Sequence, residues 1–107
     1  MVKFCVFYYG KPEDPAAFDA YYWNRHLPLV TGWPRIRRIA VCKGHPGGEL
    51  YQLAELYFDT LDDLEAALRS PERAAAYEDG QRLPRFVGEI KRQTFEVLDY
   101  VKGERRT

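Results

Sequence analysis

Cysteine, methionine, histidine and net charge are all scarce in this chain of 107 residues. Two cysteines, Cys5 and Cys42, cannot make a disulfide framework, and without a close-spaced partner they do not make a zinc site either. Both are expected as core thiols in a reducing cytoplasm. The 16 basic and 16 acidic residues cancel, so no net positive field gathers phosphates and nucleic acid is a poor default partner. A membrane surface is no better served. No apolar run reaches the roughly 18 residues of a spanning helix, and the stretch from Met1 to Pro15 has no signal-peptide cleavage pattern. With only His26 and His45, on different elements, and no close-set carboxylate pair, no metal site is expected. No glycine-rich dinucleotide fingerprint is present, and Gly44-His45-Pro46-Gly47-Gly48 lacks the spacing of a phosphate loop.

What the chain does have is apolar and aromatic bulk, 46% and 15% of its residues, beside 30% charged residues that keep it soluble. Its length suits one domain, which we place at residues 1–101, followed by a short polar tail at 102–107. Val2 to Tyr9 reads as a strand ended by Gly10 and Pro12. Asp14 and Pro15 are cap and first position of a helix with Phe18, Tyr21, Tyr22 and Leu29 along one face, and Pro28 predicts an end or kink near His26. Ile36 to Lys43 and Tyr51 to Asp59 read as paired strands. Thr60 opens a second helix, Ser70-Pro71 a shorter one over Glu72 to Glu78 stopped by Gly80, and Lys91 to Asp99 is the closing strand. This order is a ferredoxin-like βαββαβ arrangement of the α+β class, a four-stranded antiparallel sheet with helices on one face.

The sheet carries bulk on both faces. In the first strand Val2, Phe4, Val6 and Tyr8 alternate with Lys3, Cys5, Phe7 and Tyr9, and in the third Leu53, Glu55 and Tyr57 alternate with Gln52, Ala54, Leu56 and Phe58. Helices on one side leave the second apolar face bare, which face-to-face pairing in a symmetric homodimer would hide.

The segment from Phe18 to Val30 resembles the signature of the EthD family: an aromatic pair, three residues, a histidine, any residue, a proline, here Tyr21, Tyr22, His26 and Pro28. The resemblance continues through the Gly47-Gly48 loop, the Leu56-Tyr57-Phe58-Asp59-Thr60-Leu61 junction and the closing Glu96-Val97-Leu98. It implies a dimeric α+β barrel, a cavity between sheet and helices, and a part in bacterial catabolism of small organic compounds. EthD itself is needed beside a cytochrome P450 system in ether degradation, and many relatives carry the label reductase.

His26, four residues after Tyr22, continues the face packed on the sheet, and its imidazole can give or take a proton near neutral pH. Against this stands a histidine that merely caps helix carbonyls. Tyr22 can orient a carbonyl or enolate, or simply fill the core. Phe18, Tyr21, Tyr8 and Arg38 complete the expected ligand pocket; Arg38, like Arg35 and Arg37, has a solvated strand edge as its alternative. Trp23, Asn24 and His26 match by type a set used in haem-degrading relatives, but three neighbours on one helix cannot reproduce it. Two function classes follow: a cofactor-independent enzyme of isomerase, cyclase or oxidoreductase type for a small apolar metabolite, or a non-catalytic binding protein serving a partner oxygenase. Haem held at His26 is a third reading, which a Soret shift lost on His26→Ala would reveal.

Overall fold

The computed structural model describes residues 1–106. Its elements run β1 (Val2–Pro12), α1 (Pro15–Tyr21), a π-helical turn (Tyr22–His26), α2 (Leu27–Val30), β2 (Arg38–Lys43), β3 (Leu50–Phe58), α3 (Leu61–Leu68), α4 (Pro71–Gly80), β4 (Phe86–Glu96), β5 (Asp99–Val101) and β6 (Glu104–Arg106). The first four strands form one antiparallel sheet in the order β2-β3-β1-β4, the ferredoxin-like α+β arrangement expected.

Each long helix starts where a side chain can satisfy an orphan amide. Asp14 Oδ1 accepts from the Ala17 N–H at 3.1 Å, Thr60 Oγ1 from the Asp63 N–H at 3.1 Å, and Ser70 Oγ from the Arg73 N–H at 3.1 Å. The helices cover one face of the sheet. Gln52, Ala54, Leu56 and Phe58 of β3 and Phe4 and Tyr8 of β1 are buried beneath them. Two apolar clusters result, one around Phe58, Leu64 and Ala67, the other around Tyr8, Phe18, Tyr22 and Leu27.

The closing strand begins earlier and ends sooner than its composition suggested. It is almost wholly exposed, so no apolar alternation marks it; pairing along β1 from Val2↔Glu96 to Pro12↔Phe86 holds it in place. That pairing brings Gly10 opposite Gly88, both at positive φ, and a Cβ on Gly88 would lie 1.9 Å from the Tyr9 carbonyl oxygen. Only glycine fits there. Of the residues expected as a polar tail, Glu104–Arg106 form β6, which pairs with β5 in a two-stranded ribbon; Thr107 lies outside the described residues.

The opposite sheet face carries no helix. Phe7, Tyr9, Leu53, Tyr57 and Phe95 are half-buried there, and Lys3 and Glu55 form an ion pair among them. Cys5 is buried as expected, but Cys42 is exposed on the edge strand β2, where its thiol donates to Glu55 Oε1 at 3.3 Å.

Candidate functional site

Pro28 has no N–H, and in a regular helix its ring collides with the carbonyl four residues back. The regular helix gives way close to His26, as the sequence suggested, but the chain stays helical through the irregularity. It widens into the π turn, where the Leu27 N–H donates to the Tyr22 carbonyl, and then continues as α2 to Val30. The inserted residue turns Tyr22 and His26 together toward the sheet, with ring centroids 5.6 Å apart. Tyr22 is 1% exposed. Burial pushes its phenol well above the usual tyrosine range, with Tyr8 adding to the effect, so at neutral pH it carries a proton and can donate.

Behind His26 stands Asp79, in the last turn of α4. Its Oδ2 lies 3.1 Å from His26 Nδ1, and its Oδ1 accepts from the Tyr21 hydroxyl at 2.8 Å. Burial of the carboxyl opposes ionisation, but the bonds from Tyr21 and His26 outweigh it and hold Asp79 below its usual range. An ionised carboxylate only accepts, so Nδ1 carries the proton and the neutral ring keeps Nε2 as its basic nitrogen.

His26 also lines a cavity of about 700 Å³, its open mouth included. The cavity is the gap between the two core clusters. Phe4, Val6 and Tyr8 of β1, Ala54 and Leu56 of β3, and Ile90 and Arg92 of β4 make its floor; Tyr22, His26, Leu27, Val30 and Trp33 make one wall, and Arg73, Ala76 and Tyr77 of α4 another. The methyl side chain of Ala54 leaves room there. Trp33 is 7% exposed, and its indole N–H has no hydrogen-bond partner among the described residues.

Of the side chains the sequence suggested, His26, Tyr22 and Tyr8 meet in this cavity. Tyr21 stays outside and acts through Asp79. Phe18 is fully buried in the aromatic cluster with Tyr8, Tyr22, Tyr51 and Phe86, and forms no part of the wall. Arg38 is a correction: it projects from the helix-free face, its guanidinium 4.9 Å from the Tyr57 ring centroid, because strand alternation sends it away from Ile39 and the cavity. Asp79 was missed, although an acid in the last turn of a helix with no basic residue beside it is electrostatically misplaced unless something pairs with it. Arg73, Arg92 and Trp33 had no such signal. No group of three or more metal-ligating side chains occurs among the described residues, and no helix there is long and apolar enough to cross a membrane.

A profile of the EthD domain matches residues 11–86. An uncharacterized 11.0 kDa protein of the thcB-thcC intergenic region of Rhodococcus erythropolis is 42% identical over 69 residues, 60% of this chain and 66% of that relative, just under two thirds of its length. Among solved structures, an ethyl tert-butyl ether degradation (EthD) family protein from Bacillus halodurans superposes with a TM-score of 0.78 at 32% identity, covering 91% of this chain and 98% of that one. SnoaB, a cofactor-independent oxygenase from Streptomyces nogalater, shares the fold at 16% identity with a TM-score of 0.65, over 90% of this chain and 91% of its own.

Proposed function

The chain belongs to the EthD domain family, and on that premise we propose that it catalyses proton transfer on a small organic molecule, without a cofactor. The carrying observation is the bond from Asp79 to His26, which itself lines a largely apolar cavity. His26 Nε2 takes a proton from an acidic C–H or O–H of the substrate, and Asp79 holds the ring in the required tautomer and balances the imidazolium. Tyr22 donates to the oxygen on which negative charge gathers. The carbanion or oxyanion is then reprotonated elsewhere, an isomerisation, or meets dioxygen as a co-substrate, an oxidation. The fold shared with a cofactor-independent oxygenase supports the second outcome by analogy only.

Deuterium incorporation from D₂O and oxygen uptake, measured on a panel of small enolisable ketones and phenols, test this reading. Activity lost in His26→Gln and much reduced in Asp79→Asn is the expected result. Binding to the cavity with neither exchange nor oxygen uptake would instead favour a binding protein that serves a partner oxygenase, for example in ether degradation. In our reading the protein works in the bacterial cytoplasm, in keeping with two free thiols. It does so as a homodimer, paired through the face of Phe7, Leu53, Tyr57 and Phe95, because water against that surface is costly.

A further inference from the structure

The formal charges around the cavity are one-sided. Arg73 from α4 and Arg92 from β4 both line it, and no carboxylate does among the described residues. Both guanidiniums lie against the ring of Tyr77, 5.1 Å and 5.4 Å from its centroid. Neither has an ion-pair partner among the described residues. Two like charges gathered on one ring repel each other unless an anion joins them. A third side chain there that can only donate, Trp33, is nine-tenths buried with an indole N–H that has no partner among the described residues. Arginine and tryptophan can only donate, so whatever complements this wall is rich in acceptors. The charge of Arg92 also reaches inward: burial raises the Tyr8 phenol, and Arg92 opposes that rise.

We propose that the ligand of this cavity is an amphipathic organic anion, its acid group held between Arg73 and Arg92 at the rim and its apolar body lying over Phe4, Leu56 and Ile90. The inference rests on the reading of the cavity as a ligand site, and it replaces the neutral apolar metabolite with a carboxylate or a comparable acid. Guanidinium forks suit such groups because both oxygens can be bonded at once.

Two dyes with the same aromatic body separate charge from shape: anilinonaphthalenesulfonate is an anion and phenylnaphthylamine is neutral. Fluorescence titration should show the sulfonate binding at least about tenfold more tightly, as expected for charge-assisted bonds, with the neutral dye displacing it from one shared site. Arg73→Gln with Arg92→Gln should bring the two affinities together and leave that of the neutral dye unchanged. Both positions are solvent-accessible, and retention of the fold is read by circular dichroism. Equal affinities in the unaltered chain, or a preference that survives the double substitution, would overturn the anionic ligand while leaving the cavity a ligand site. If neither dye binds, or if Ala54→Phe, which fills the floor, changes neither affinity, the cavity reading itself fails as well.

Discussion

Asp79→Asn removes one negative charge and keeps the shape of the side chain, so it isolates what the carboxylate does for His26. Asp79 is 8% exposed and accepts from His26 Nδ1 at 3.1 Å. A hydrogen bond to a charged group contributes about 1.5–3 kcal/mol and a neutral one about 1 kcal/mol, so the exchange costs about 1–2 kcal/mol; the Tyr21 bond lies at the solvent edge and is left out of the sum. In a domain of this size that lowers Tm by about 5–10 °C. The pH dependence follows from the direction of the Asp79 shift. Its carboxyl titrates lower in the folded chain than the unfolded value of about 3.9, so the stabilisation is complete above that value and is lost as pH falls through the folded one. The gap between native and variant stability, from urea denaturation, should close as pH falls below about 4. Nitrogen–hydrogen correlation NMR of the imidazole at about pH 8.5, above the ordinary histidine range, should find the Nδ1–H tautomer in the native chain and a mixture in the variant, whose amide can donate to Nδ1. A gap independent of pH, with the same tautomer in both proteins, would refute the assigned role.

The remaining expectations concern the scaffold. Phe18→Ala empties a fully buried ring site among four aromatic partners and should cost about 3–5 kcal/mol in urea denaturation. Gly88→Ala sets a Cβ 1.9 Å from the Tyr9 carbonyl at positive φ; it should cost upwards of about 2 kcal/mol, with amide exchange accelerated along β1 and β4 first. Leu53→Asp places a charge on the helix-free sheet face beside Phe7, and analytical ultracentrifugation at micromolar concentration should show a dimer for the native chain and a monomer for the variant. A native chain that sediments as a monomer would remove the dimer.

Local signals were legible wherever a single residue type dictates geometry. Asp14, Thr60 and Ser70 each sit at the helix start that their hydroxyl or carboxylate predicts. The alternation in β3 likewise separates the helix-facing Gln52, Ala54, Leu56 and Phe58 from the bare face. The element order followed from these, and with it the sheet topology. Where the sequence misled, a non-local partner had decided the matter. β4 is held by its ladder with β1 rather than by its own composition.

The candidate site divides along the same line. His26 and Tyr22 were recognisable because their four-residue spacing puts them on one helix face, a relation internal to the chain's local geometry. Arg38 was misassigned to the pocket because its face depends on where the strand begins, and a shift of one residue sends a side chain to the other side. Asp79 reaches His26, and Arg73, Arg92 and Trp33 reach its cavity, from three other segments, brought there only by the packing of α4 on the first helical segments and the pairing of β4 with β1. Spacing along the chain therefore determined which residue could move a proton, while tertiary packing alone decided which carboxylate orients it and which charges surround it, since those contacts join residues with no regular separation in sequence.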